Sequence, residues 1–166
     1  MRRRHRPAGE AAPPPAESAW PTALRLLMRR EYTAAELRER LRDRGYAEDI
    51  TDDCVQRLTA DGTLDDRRVA ANHIRTARDI KTRGRLRIER ELVARGIAPA
   101  LARELLADVP KEDDQAQIAR VLARKHLPER LSLAERRRIF QHLLRRGFPA
   151  EAIGKALRQR GLDDDD

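Results

Sequence analysis

Hydrophobic positions recur with helical spacing along most of the chain. In the segment 66–80, residues three or four positions apart form one apolar stripe, which consists of Ala70, His73, Ile74 and Ala77. No stretch of the sequence alternates apolar and polar residues in the way typical of a β-strand. The pattern therefore predicts an all-α protein.

A motif of arginine, glycine and an apolar residue occurs three times along the chain. Its glycines are Gly45, Gly96 and Gly147, which are spaced 51 residues apart. Apolar residues keep the same period, and four positions before each glycine stand Leu41, Leu92 and Leu143. A fixed period with matching apolar positions is the signature of tandem structural repeats.

Each repeat predicts three short helices. They span residues 20–30, 34–44 and 48–61, then 66–80, 85–95 and 99–108, then 112–126, 133–146 and 149–160. The second helix of each repeat ends at its glycine (Gly45, Gly96 or Gly147), because glycine readily adopts the left-handed conformation that closes a helix. Capping boxes mark the starts of two of these helices, formed by Thr33 with Glu36 and by Ser132 with Glu135.

Small three-helix units bury little apolar surface alone, so the repeats are expected to stack end to end around a continuous core. This predicts an elongated, slightly curved array of three tandem three-helix repeats. The predicted organisation is a disordered, basic and proline-rich arm at 1–19, repeats at 20–64, 65–110 and 111–162, and an acidic tail at 163–166.

Charge is unevenly distributed over the repeats. The chain has 36 Lys+Arg against 28 Asp+Glu, a net charge of +8, and the excess lies in the second and third repeats. Such a positive field attracts phosphate backbones or acidic protein surfaces. The alternative is that some of these arginines only solvate the surface or pair with acids. The densest basic clusters are Arg75, Arg78, Lys81, Arg83, Arg85, Arg87 and Arg90, and then Arg136, Arg137, Arg138, Arg145 and Arg146.

Catalytic and metal-ligating constellations are missing from the sequence. None of His5, His73, His126 and His142 stands at metal-ligand spacing from another ligand. His73 lies on an apolar stripe and is expected to be a packed core residue, as is Cys54. Acidic residues stand at two predicted helix starts, where the helix dipole favours negative charge, and we interpret them as helix caps. They are Asp65, Asp66, Glu112, Asp113 and Asp114. We predict no enzyme activity, no metal and no cofactor.

The composition also limits the cellular setting and the mode of nucleic-acid binding. A single cysteine cannot form an internal disulfide, and no apolar run is long enough to span a membrane, so a cytoplasmic protein is expected. Aromatic residues make up only 3% of the chain, fewer than a protein needs if it binds single strands by base stacking.

Three stretches of the chain together resemble the RecX family, the regulators of the bacterial recombinase RecA. The first contains residues 23–27 and 29–32, then Glu36, Leu37, Leu41, Gly45 and Tyr46. The second and most specific contains Leu64-Asp65-Asp66-Arg67-Arg68-Val69-Ala70, then Arg75, Gly84, Ile88, Glu91, Leu92, Arg95, Gly96 and Ile97. The third contains Lys125, then Leu143-Leu144-Arg145-Arg146-Gly147-Phe148 and Ile153.

Two positions depart from the family's usual pattern. Val69 stands where the family usually has an aromatic residue, which implies a slightly different core in the second repeat. Arg85 follows Gly84 where the family often has proline, and we expect it to make this loop more basic.

The resemblance implies a non-enzymatic modulator of RecA. Proteins of this kind bind along the groove of the RecA filament on single-stranded DNA and reduce its ATPase, strand-exchange and co-protease activities. The expected partners are thus the RecA filament and, through it, single-stranded DNA, in DNA repair, recombination and the SOS response. We expect a monomer that contacts the filament through the two basic clusters. The alternative is a sequence-independent nucleic-acid-binding protein that acts without RecA.

Overall fold

The computed structural model describes residues 19–110, 112–125, 127 and 131–159, and within them the chain forms nine α-helices and no strand. The expectations for the N-terminal arm before Ala19, for His5 and His126, and for the acidic tail lie outside the described residues. The helices are α1 (Trp20–Leu27), α2 (Ala34–Arg42), α3 (Glu48–Ala60), α4 (Asp66–Asp79), α5 (Arg85–Ala94), α6 (Pro99–Ala107), α7 (Glu112–Ala123), α8 (Leu133–Arg145) and α9 (Ala150–Gln159).

The all-α prediction is confirmed, and every predicted helix is present with its ends within three residues of the predicted positions. The largest differences lie at C-terminal ends, where the last turn of a helix commonly tightens and frays. Both capping boxes form: the Thr33 and Ser132 hydroxyls accept hydrogen bonds from the amides of Glu36 and Glu135, whose carboxylates accept from the N-cap amides.

A left-handed glycine closes the second helix of each repeat. At the end of α8, Gly147 has a φ of +87°, and the amide of Phe148 donates to the carbonyl of Leu143 at 3.2 Å. Equivalent bonds follow Gly45 and Gly96, whose φ angles are +85° and +83°. Each glycine thereby supplies partners for carbonyls that the helix end leaves free.

The apolar core is divided between the second and third repeats, contrary to the expectation of one continuous core. The buried apolar residues of the described chain, apart from Val69, form three clusters, one in each repeat. The largest fully buried members include Leu37, Leu41 and Leu58 in the first cluster, Ile88, Leu92 and Ile97 in the second, and Ile118, Leu143 and Phe148 in the third. The second and third repeats contact each other through polar groups, among them backbone hydrogen bonds and a buried ion pair.

The described chain separates between Asp65 and Asp66 into two compact units. In the first unit, α2 packs on α3 and α1 packs on α2. In the second unit, α4, α5 and α6 pack on one another, and α9 packs on α7 and α8. The second unit thus contains both predicted basic clusters.

Cys54 and His73 were both expected in the apolar core, but they differ in burial. Cys54 is buried as predicted, and burial, with the nearby charge of Asp53, raises the pKa of its thiol. His73 is only partly buried, and its Nε2 lies 3.1 Å from Oε2 of Glu91 at the edge of the core. The prediction for His73 as a packed core residue is therefore wrong in detail.

Candidate anion-binding site between the second and third repeats

The end of α8 meets the start of α5 backbone to backbone. The amide of Gly84 donates to the carbonyl of Arg146 at 2.8 Å, and the amide of Leu86 donates to that of Gly147 at 3.0 Å. The first amides of a helix and the last carbonyls of another have no partners within their own helices. These two helix ends therefore satisfy each other and join the second repeat to the third.

Arg146 ties the same end of α8 to the loop between α4 and α5. Its Nη1 lies 2.8 Å from Oγ1 of Thr82 and 3.1 Å from the carbonyl oxygen of Lys81. Thr82 is buried and has a φ of +47°, a left-handed conformation that is uncommon for threonine. Arg146 thus helps to hold a strained loop residue in place.

In the second repeat, the carboxylate of Glu91 contacts the side chains of two arginines and a histidine. Its carboxylate accepts from Nη1 of Arg83 at 2.5 Å and from Nε of Arg87 at 2.9 Å, and His73 completes the cluster. Burial alone would raise the pKa of Glu91, but the hydrogen bonds from Arg87, Arg83 and His73 outweigh it and lower the pKa. Two guanidinium groups share one carboxylate, so the cluster keeps a positive charge.

Asp114 holds two other arginines of the predicted contact set. Its Oδ2 lies 2.7 Å from Nε of Arg85, its Oδ1 lies 3.4 Å from Nη1 of Arg78, and only 3% of its side chain is exposed. Arg78 is equally buried, and its other nitrogen faces Asp113 at 3.5 Å. Asp114 is therefore a buried counter-charge between repeats rather than a helix cap alone. The guanidinium of Arg85 is therefore paired with Asp114 rather than left free on the loop.

A pocket with only basic lining residues opens beside these contacts. Its volume is about 430 Å³, and no acidic residue lines it within the described chain. Lys81 and Arg145 are exposed, and no hydrogen bond or ion pair joins either side chain to another described residue. They therefore contribute uncompensated positive charge. The lining residues are Lys81, Arg83, Arg87, His142, Arg145 and Arg146.

His142 is the lining residue that sequence reasoning did not single out as part of a site. Its Nε2 accepts a hydrogen bond from Nε of Arg146 at 3.2 Å, so the proton of the neutral ring resides on Nδ1. Burial lowers the pKa of His142, and the positive charges of Lys125, Arg146 and Arg145 lower it further. The spacing of His142 from Arg145 and Arg146, three and four positions along α8, is the signal that could have indicated this cluster.

The structure brings together part of the predicted contact set. Five of its residues line the pocket, whereas Arg78 and Arg85 are bound to Asp114. Exposed Arg75 donates to the side chain of Asn72, and exposed Arg90 donates to the carbonyl of Leu86. On α8, Arg137 and Arg138 are exposed and Arg136 is half-buried. The alternative that some arginines only pair with acids thus describes Arg78 and Arg85.

The Glu91 cluster predicts a pH-dependent contribution to stability. The lowered pKa of Glu91 means that its contribution is complete above the ordinary glutamate pKa of about 4.3 and is lost as the pH falls through the lower folded value. Urea unfolding of Glu91→Gln should show a loss of about 1–3 kcal/mol at neutral pH, which shrinks below about pH 4. The exposed Glu104, replaced by Gln, should show a much smaller loss than Glu91→Gln at neutral pH. A Glu91→Gln loss that does not change with pH would contradict this assignment.

Two further features of the described chain bear on function. None of its helices has the length and apolar character required to span a bilayer. In the same residues, histidine, cysteine and carboxylate side chains do not gather in groups of three that could bind a metal ion.

These features define a class of protein, namely tandem three-helix repeat proteins with a basic second unit. Residues 19–58 match the first three-helix domain of RecX, residues 65–106 match the second, and residues 112–157 match the third. These matches cover most of the chain, and the protein belongs to the RecX family.

Individual relatives agree with this family assignment. The Regulatory protein RecX of Syntrophotalea carbinolica is 34% identical over 146 residues, which are 84% of this chain and 94% of that protein. The Regulatory protein RecX of Pelodictyon phaeoclathratiforme is 32% identical over 157 residues, which are 91% of this chain and 96% of that protein. The crystal structure of RecX from Lactobacillus salivarius has the same fold, with a TM-score of 0.74, 19% identity, and coverage of 86% of this chain and 94% of that one.

Proposed function

We propose that this protein is a non-enzymatic inhibitor of RecA that binds along the groove of the RecA filament on single-stranded DNA. By occupying the filament it reduces ATPase, strand-exchange and co-protease activities, and so regulates DNA repair and recombination. The observation that carries the proposal is the match of the chain to all three RecX domains, whose relatives are named regulatory proteins.

The charge distribution of the second unit supports a narrower contact surface than the two complete basic clusters. Arg78 and Arg85 stabilise the junction between repeats through Asp114, so we do not assign them to the contact surface. Arg138 and Arg145 are exposed and stand seven positions apart on α8, which places them two turns apart on one face. We assign filament contact first to this face of α8.

The test is a titration of the protein into RecA hydrolysing ATP on single-stranded DNA. Reversal of two exposed charges, Arg138→Glu with Arg145→Glu, is expected to raise the half-inhibitory concentration at least tenfold, because like charges then face the DNA phosphates. Reversal at Arg83 and Arg87 is a poorer test, because both side chains donate to Glu91 and their loss would disturb the fold.

A matched control separates contact from net charge. Arg103→Glu with Arg120→Glu changes the net charge equally on exposed residues of α6 and α7. We expect this control to stay within about twofold of the wild type in half-inhibitory concentration. Equal effects of the two double variants would overturn the assignment to α8. Failure of the wild-type protein to inhibit at saturation, combined with tight binding to bare DNA, would favour the alternative of a nucleic-acid-binding protein that acts without RecA.

A further inference from the structure

We propose that the basic pocket lined by Lys81, Arg83, Arg87, His142, Arg145 and Arg146 is a phosphate-binding site, which receives a backbone phosphate of single-stranded DNA. The proposal rests on the proposed function, since the DNA is the strand within the filament. It deepens that function by assigning the DNA contact to one pocket between the second and third repeats.

The charge around the pocket is suited to an anion. Arg83 and Arg87 share the single carboxylate of Glu91, and Arg146 donates only to neutral acceptors among the described residues. Lys81 and Arg145 have no counter-ion among the described residues. The pocket therefore holds several positive charges more than it has negative ones, and a bound anion relieves their mutual repulsion.

The donors are also largely held in place before any ligand arrives. Arg146 is fixed by the Thr82 hydroxyl, by loop carbonyls and by His142, while Arg83 and Arg87 are fixed by Glu91. Donors that are already ordered lose little conformational entropy when they bind a ligand. Only Lys81 and Arg145 remain to close on the ligand, one from each repeat.

The lining residues favour a phosphate over an acidic peptide. Guanidinium groups match the geometry of phosphate oxygens and bind them through paired hydrogen bonds. Peptide-binding sites add apolar pockets or a strand edge that pairs with the peptide backbone. Neither feature belongs to this pocket within the described residues, since all six lining side chains are basic.

The face of α8 that leads to the pocket favours DNA over a free phosphate ion. Arg138, His142 and Arg145 stand at positions i, i+4 and i+7, so they follow one side of the helix toward the pocket. Arg138 and Arg145 place two positive groups about 10 Å apart along this side of α8, so an extended backbone can be held at a second phosphate beyond the pocket.

The first test is binding of a fluorescent oligothymidylate to the full chain, measured by anisotropy over a range of salt concentrations. For Lys81→Gln with Arg145→Gln, we expect at least a tenfold loss of affinity and a salt slope reduced by about 0.7, the value for one phosphate on a single strand. The matched control, Arg103→Gln with Arg120→Gln, should change affinity less than twofold. Unchanged affinity in the pocket variant, or no binding by the wild type at low salt, would overturn the proposal.

Two further arms identify the source of the phosphate. An oligothymidylate with uncharged methylphosphonate linkages should bind at least tenfold more weakly, and inorganic phosphate should compete only at much higher concentration than the oligonucleotide. Binding of inorganic phosphate at the pocket without binding of the oligonucleotide would overturn the assignment to DNA.

The imidazole of His142 reports occupancy of the pocket directly. In the free protein it faces Lys125 after α7, Arg145 and Arg146 at the end of α8, and the basic residues that line the pocket from the second repeat. A bound phosphate offsets these charges, so NMR titration should show a higher pKa for His142 when oligothymidylate is present. An unchanged pKa of His142 at saturation would overturn the proposal.

These outcomes are distinct from failure of the proposed function. The ATPase titration tests inhibition of RecA and can fail while the pocket still binds oligothymidylate. The anisotropy and NMR measurements use no RecA, so a negative result there removes the pocket but leaves inhibition through protein contacts intact.

Discussion

Replacement of Asp114 with alanine is expected to lower the free energy of unfolding by about 3–5 kcal/mol, because it leaves the buried guanidinium of Arg78 without its most buried partner. Asp114 and Arg78 are 3% and 5% exposed at their side chains, so their contact is shielded from solvent. Arg85 loses its 2.7 Å ion pair at the same time. The loss concerns the junction between the second and third repeats, which is made by such polar contacts.

Urea unfolding of the full chain measures this effect, and the neighbouring residue supplies the control. Asp113 also faces Arg78, but its side chain is 52% exposed, so Asp113→Ala should cost less than about 1 kcal/mol. Asp114→Asn keeps the shape but removes the charge, and should fall between the wild type and Asp114→Ala. Equal losses for Asp113→Ala and Asp114→Ala would contradict the role of Asp114 as the buried counter-charge.

Replacement of Gly84 with alanine is expected to destabilise the protein by about 3 kcal/mol, through steric overlap and disturbed hydrogen bonds. A Cβ atom at this position would lie 2.3 Å from the carbonyl carbon and oxygen of Gly147 and from the amide of Phe148. All three are backbone atoms of the closed end of α8, so they cannot move aside without breaking that cap. The φ of Gly84 is −76°, which alanine adopts readily, so the penalty arises from this contact and not from backbone strain.

The helical glycine of α9 is the matched control for this substitution. A Cβ at Gly154 would meet only the flexible end of Arg158, at 3.3 Å. Alanine is the better helix former, so Gly154→Ala should stabilise the protein by up to about 1 kcal/mol. Urea midpoints that move in the same direction for Gly84→Ala and Gly154→Ala would contradict the close approach of α5 and α8.

The elements of the fold were predictable because local interactions determine them. Apolar stripes, two capping boxes and three closing glycines depend on residues within a few positions of one another. One site contact has the same local origin, since Arg87 and Glu91 are four residues apart on α5. The 51-residue period and the three stretches that resemble RecX then indicated tandem repeats and the family.

The roles of the individual arginines were not predictable, because they depend on partners that are distant in the chain. Arg78 and Arg85 look like surface charges in the sequence until α7 brings Asp114 against them from 36 and 29 positions away. The divided core has the same origin, since the two repeats meet through polar groups that helical periodicity does not reveal.

The sequence by itself thus determined the helices, their caps, the repeats, the family and the positive charge of the second and third repeats. Only the tertiary structure decided which of these charges are neutralised by acids and which face solvent together around a pocket. The physical reason is that helix formation depends on neighbours one turn away. The net charge of a surface depends instead on which carboxylates the docking of one repeat brings against the arginines of another.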